Sequence, residues 1–187
     1  MTKLFRWFIR LLTPAGLCLL LALSSTTAFA QDGVTREEIL AGLFSSEEIT
    51  SGRVFLTKEQ RRQIGELSRE QVTSGLVARY VITRDGQVVG RAYVDTHIVR
   101  TKRESLLISL DADGSLRRID VTAFLEPLQF QAAPSWYQQY NGHPLSDEVN
   151  VQRAIRAIAG ATLTANVTNS AVRRVLATDL VLEGTAR

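Results

Sequence analysis

The chain has 187 residues, 45% hydrophobic and 22% charged, with 22 Lys and Arg against 19 Asp and Glu and a formal net charge of +3. That excess sits in the first thirty residues, which hold Lys3, Arg6 and Arg10 and no acidic residue; taking those three from the 22 leaves 19 basic against 19 acidic residues from Gln31 onward. A balanced chain offers no basic field for nucleic acid, and the single cysteine, Cys18, lies in the same opening segment, so residues 31–187 hold no disulfide, thiolate nucleophile or Cys-ligated metal.

The opening segment reads as a secretory signal peptide: "MTKLFRWFIR" is basic, "LLTPAGLCLLLALSS" is apolar, and "AFA" ends it at Ala30. Pro14 and Gly16 interrupt the apolar run, which falls short of the roughly 20 residues of a bilayer span. Cleavage after Ala30 is therefore preferred over retention as an N-terminal membrane anchor. Leu17 and Leu19 flank Cys18 where a lipoprotein signal would differ, which argues against a lipid anchor. The expectation is a periplasmic or otherwise exported protein with one domain's worth of chain after the leader.

Two short helices come next. In "TREEILAGLF" Thr35 is the N-cap and Glu38 its capping-box partner; in "TKEQRRQIGEL" Thr57 and Gln60 repeat the device, with Ile64 and Leu67 as apolar anchors of a surface helix. "SSEEITSGR" between them reads as a turn-rich connector.

From Leu76 the period becomes alternating. "LVARYVITRDGQVVGRAYV" predicts two strands joined at Asp85-Gly86, and "SLLISLDADGSLRRIDVTAF" predicts a second hairpin through Asp113-Gly114. Leu106, Ile108 and Leu110 share one face, as do Ile119, Val121 and Ala123. A last helix carries Val167, Ala171, Val172, Val175 and Leu176 at helical spacing, with Arg173 and Arg174 directed elsewhere. The expected fold is α+β: a twisted antiparallel sheet of two hairpins covered on one face by helices. Residues 31–75 form an N-terminal helical segment and 76–187 the main domain. "PLQFQAAPSWYQQYNGHPLSDE" is a long aromatic connector of the kind that carries function.

The two histidines, His97 and His143, lack a second histidine or a metal-ligand spacing and read as packed or surface residues. No G-x-S-x-G elbow supports a serine hydrolase. "RTKRE", residues 100–104, reads as a phosphate or acidic-partner site or as a solvated turn, and the "NVT" sequon falls inside the predicted helix. "GATLT", residues 160–164, has a more specific use. Gly160 and Ala161 allow close approach, Thr162 presents a hydroxyl, and a helix starting near Thr164 would aim free N–H groups at an anion there. The other reading of the same residues is that Thr164 caps the helix.

At Gly160-Ala161-Thr162, with Leu163, Thr164 and "NSAVRRVLA" after it, the chain resembles the FMN-binding domain family, which includes the periplasmic flavin subunits of Rnf and sodium-pumping quinone reductase complexes. "HIVRTKRESLLISLDADGSLRRIDV" and "FLEP" resemble the family's strands and acidic-Pro turn, so the likeness spans residues 76–178. It implies FMN, phosphoester-linked to Thr162 by a flavin transferase that uses FAD and magnesium. It also implies an electron-transfer role with a membrane quinone-linked or cytochrome partner. Gly160 and Ala161 would give clearance, Leu163 and Thr164 amides would hold the phosphate, and Trp136 and Tyr137 are candidates to cover the ring. The chain departs from the family at Arg156, where an Asp is usual, and at Ala159, where Ser or Thr is usual; Arg156 could instead pair with a phosphate. Those departures keep open a flavin-free accessory module on the same scaffold.

Overall fold

The computed structural model describes residues 34–45 and 48–184. The expected leader and its boundary at Ala30 lie outside the described residues. Helix α1, Arg36–Phe44, begins with the capping box expected of it: Glu38 N donates to Thr35 Oγ1 at 3.2 Å and Thr35 N donates to Glu38 Oε2 at 2.7 Å. Helix α2, Lys58–Ser68, repeats the box with Thr57 and Gln60 at 3.1 and 2.9 Å. Each box satisfies donors that a helix start would otherwise leave without acceptors.

Five strands form one antiparallel sheet in sequence order: β1 Glu48–Phe55, β2 Leu76–Arg84, β3 Gln87–Ile98, β4 Arg103–Asp111 and β5 Leu116–Phe124. Asp85 at φ 51° and Gly86 at φ 78° make the tight β2–β3 turn that their sequence announces. β1 corrects the sequence reading, because much of the presumed connector pairs with β2, from Glu48 opposite Thr83 to Phe55 opposite Leu76. Only Ile49 and Val54 are even partly buried, so this edge strand has no apolar alternation to reveal it.

Directly opposed residues share a sheet face. On one face, Tyr80, Ile82, Ala92 and Leu107 pack against Leu40 and Phe44 of α1. On the other, Tyr93, Leu106, Ile108, Leu110 and Ile119 meet Ala171, Val172, Val175 and Leu176 of the final helix α4, Thr162–Leu182. The α+β arrangement of antiparallel sheet and helices is thus as expected, with α1 added on the reverse face. A register shift next to Ser105 puts Ala123 opposite Ser105, on the face away from Ile119 and Val121.

The connector from β5 to α4 contains a short helix α3, Pro134–Tyr137, flanked by 3₁₀ turns at Leu128–Phe130 and Gln138–Tyr140. It drives Tyr137 and Tyr140 into the α4-side core, where their hydroxyls donate to Glu104 and Asn169, each at 3.2 Å. Burial raises both phenol pKa values, which keeps the hydroxyls as donors.

Arg173 and Arg174 are a second correction, because both turn inward. Arg173 is 2% exposed and donates to three backbone carbonyls: Ser68 at 2.8 Å, Ser146 at 2.7 Å and Val149 at 3.1 Å. It thereby ties the C-terminal end of α2, where a helix presents unpaired carbonyls and partial negative charge, to the connector. Burial lowers its pKa, yet the carbonyls give its charge a set of acceptors.

Candidate functional site

The five residues of "GATLT" sit at the start of α4. Gly160 has φ 79°, a left-handed conformation that favours glycine, and a Cβ there would meet nothing within 4 Å. Ala161 is the N-cap, is 6% exposed, and makes no side-chain cap bond. Thr162 and Leu163 are exposed in the first turn. The helix therefore begins two residues before the position the sequence suggested. Thr164 does not cap it, because Thr164 is buried and its hydroxyl donates to Phe130 O at 2.6 Å. The backbone N–H groups of Thr162, Leu163 and Thr164 meet no acceptor among the described residues, in contrast to the boxed starts of α1 and α2. Clearance for an approaching molecule falls on Gly160 rather than Ala161.

Arg156 and Trp136 are brought to the same loop. Trp136 Nε1 donates to Arg156 O at 2.7 Å, and Arg156 N donates to Gln139 Oε1 at 2.9 Å, so the connector braces the segment that leads into Gly160. The Arg156 side chain is exposed. Trp136 is half-buried and packs edge-on against Tyr137 and Tyr140, with ring centroids 5.3 and 5.6 Å apart. Tyr137 is buried beneath it with its hydroxyl on Glu104.

Under α4 lies a charged cluster that the sequence reading did not assemble. His97 sits between two carboxylates, its Nδ1 2.9 Å from Asp95 Oδ1 and its Nε2 3.0 Å from Glu104 Oε2. Arg174 binds Asp95 through Nε at 3.2 Å and Nη2 at 3.0 and 3.1 Å. Tyr137 and Thr168 donate to Glu104. Burial opposes charge on His97, but its bonds to Asp95 and Glu104 outweigh that and raise its pKa to about 9. Burial likewise opposes ionisation of Asp95, and His97 and Arg174 reverse the balance and lower its pKa. The cluster is two cations against two anions with no net charge left over. The signal was present as Asp95-x-His97, a spacing that puts both on one strand face, while Glu104 comes opposite His97 only through the β3–β4 register.

A cavity of about 710 Å³ runs beside this cluster, walled by α4, the inner strands and residues 70–74. Val167, Ser170, Arg174 and Thr178 line it from α4, and the same helical stripe continues to exposed Leu163. Among the described residues no group of three or more His, Cys, Asp or Glu could hold a metal ion. The carboxylates around His97 approach opposite sides of the ring rather than one point.

No protein-family model, curated protein or solved structure matches this chain. Functional weight therefore rests on the geometry at Thr162 and on the cavity beside the His97 cluster.

Proposed function

We propose that the chain is an exported electron-transfer flavoprotein, with FMN joined through its phosphate to Thr162 Oγ1, that passes electrons between membrane or periplasmic redox partners. The observation that carries the reading is the start of α4: an exposed threonine in the first turn of a 21-residue helix that has no side-chain cap. Free N–H groups and the positive end of the helix dipole favour a phosphate at that point. A Cβ at Gly160 would meet nothing within 4 Å, which leaves that side of the helix start open to approach. The residues present therefore fit the cofactor's phosphate, with the amides of Leu163 and Thr164 as donors and the exposed Arg156 on the preceding loop as a further cation.

FMN, when bound, supplies one- and two-electron redox chemistry that no side chain of this protein offers. The protein's part is to tether, orient and shield. Leu163 and Val167 give apolar surface beside the tether, the stripe turning polar beyond them at Ser170, Arg174 and Thr178, and Trp136 braces the loop. Attachment from FAD would exchange the Thr162 Oγ1–H bond for a bond to the FMN phosphorus, with the pyrophosphate link broken and the proton leaving with AMP.

The test is intact-mass measurement after co-expression with a flavin transferase and magnesium. The expected result is a gain equal to FMN less one water, absent in Thr162→Ala. Arg156 and Ala159, which depart from the flavin-domain motif, favour the second reading of a flavin-free accessory module. Colourless protein of unchanged mass under those conditions would support that reading instead.

A further inference from the structure

Exposed apolar side chains in this protein are not scattered. Of eight large hydrophobic residues exposed among the described residues, six (Phe55, Leu76, Ile98, Leu125, Leu128 and Leu163) lie at one end of the sheet, the end of the β3–β4 turn and the start of α4. Phe55 is 77% exposed and Leu128 75%. Single exposed hydrophobics need no explanation, but a concentration at one end marks a contact surface.

The same end is cationic. Arg100 and Lys102 in the β3–β4 turn and Arg103 at the start of β4 are exposed and have no ion-pair partner among the described residues, whereas the opposite end mixes Asp85, Asp111 and Asp113 with Arg84 and Arg117, and Arg117 pairs with Asp111. Glu126, the nearby acid that could neutralise them, is 7% exposed and used otherwise. Its Oε1 accepts the backbone N–H groups of Arg100, Thr101 and Lys102 at 3.2, 2.6 and 2.8 Å, bonds that lower its pKa. That clamp fixes the cationic turn against the segment bearing Leu125 and Leu128. Arg103 O accepts from Leu125 N, Arg100 stacks over Phe130 at 4.8 Å, and Phe130 O accepts from Thr164, so turn, connector and helix start form one connected surface.

We infer that this end of the molecule docks on an anionic lipid bilayer, with the apolar tips entering the headgroup layer and Arg100, Lys102 and Arg103 pairing with lipid phosphates. Charge complementarity selects the occupant. Cations near an anionic leaflet each contribute roughly 1 kcal/mol, and long basic side chains extend to the headgroups while their stems cover apolar surface. Apolar side chains interspersed with cations at the tip of a domain suit the boundary of headgroups and acyl chains, where buried apolar area and attraction to anionic lipid act together. The inference is independent of flavin attachment, although docking would bring Thr162 to the membrane face.

The experiment uses the chain from Gln31 onward, which holds every described element and all three apolar clusters. Co-sedimentation is measured with vesicles of phosphatidylglycerol and phosphatidylcholine in equal parts, and with phosphatidylcholine alone. Binding is expected on the anionic vesicles only and should weaken steeply between 0.1 and 0.5 M salt, a readout that needs no variant. Combined Arg100→Gln, Lys102→Gln and Arg103→Gln should lower it about a hundredfold at low salt, since three contributions of roughly that size are lost. Leu125→Ser with Leu128→Ser should lower it about tenfold, and Arg117→Gln at the other end should leave it unchanged. Equal binding to neutral vesicles, binding that survives the triple substitution, or no vesicle binding at all would overturn the inference. So would retention on immobilised polyglutamate without vesicle binding, which would point to an acidic protein instead.

Discussion

Arg91 on β3 and Asp179 on α4 form a two-pronged buried ion pair, Nε to Oδ1 at 2.5 Å and Nη2 to Oδ2 at 2.9 Å, with side chains only 6% and 3% exposed. Tyr93 donates its hydroxyl to Asp179 Oδ1 at 2.8 Å, and Ala112 O accepts from Arg91 at 3.2 Å, so the charges have hydrogen-bond partners as well as each other. Burial works against charge on Arg91, and Asp179 more than offsets it, raising the guanidinium pKa.

Removing Asp179 leaves the buried Arg91 with only the more distant Glu183, 3.9 Å away, as counter-charge. Asp179→Ala is expected to cost about 3–5 kcal/mol in urea-induced unfolding. Arg91→Met combined with Asp179→Leu should recover part of that loss, because neither of the two charges then remains to be desolvated although the buried Tyr93 hydroxyl loses its acceptor.

His97 gives a pH dependence with a defined sign. Its folded pKa of about 9 lies above the value near 6.5 of a free imidazole. The stabilisation is fully present below about pH 6.5 and is lost as pH rises through about 9. A shift of that size corresponds to about 3 kcal/mol as an order of magnitude. Wild-type stability, measured by denaturant unfolding from pH 6 to pH 9.5, should fall across this window, while His97→Gln should start lower and show a much flatter profile. A direct titration by NMR should find the imidazole protonated at pH 7.5.

Phe44 fills the space that Gly90 leaves on the α1 side of the sheet. A Cβ at position 90 would collide with the Phe44 ring and with the backbone oxygen of Leu110. Gly90→Ala should destabilise by about 1–3 kcal/mol. Phe44→Leu alone should also cost stability by removing buried ring surface. The double variant should lose less than the two together, a coupling that a mutant cycle can measure.

On the proposed flavoprotein reading, Arg156 and Ala159 stand where a flavin-domain motif would have Asp and Ser or Thr. If a flavin transferase reads those positions, Arg156→Asp with Ala159→Ser should increase the fraction of protein carrying FMN, read by intact mass after equal co-expression times. Thr162→Ala in that background should carry none. Both replaced side chains are exposed, so thermal unfolding should move little.

The parts of the fold legible in the sequence are those written by local rules. Thr35 with Glu38 and Thr57 with Gln60 announce helix starts because the bonds join residues three apart. Asp85-Gly86 announces a turn because few residue pairs accept positive φ twice in succession. β1 was not legible, since a polar edge strand is held by its ladder to β2 rather than by an apolar face. Arg173 and Arg174 were misleading because their partners, Ser68 and Asp95, lie 105 and 79 residues away. A charged residue within a helix reads as solvent-facing unless such partners are known. At the candidate site the Gly160–Thr164 cluster was visible, while the start of α4 was placed late because a hydroxyl near a helix start reads as a cap, and Thr164 spends its hydroxyl on Phe130.

The unbroken strand order, each neighbour in the sheet also a neighbour in the chain, has a kinetic meaning. From β2 to β5 pairing can proceed hairpin by hairpin with little loop entropy to overcome, while β1 joins across the excursion through α2. α4 is the exception, reaching residues as distant as Ser68, Arg91 and Asp95 from the end of the chain. A nascent polypeptide can thus zip β2 to β5 early and bring His97 between Asp95 and Glu104, but Arg91 and Asp95 gain Asp179 and Arg174 only once the last helix is made.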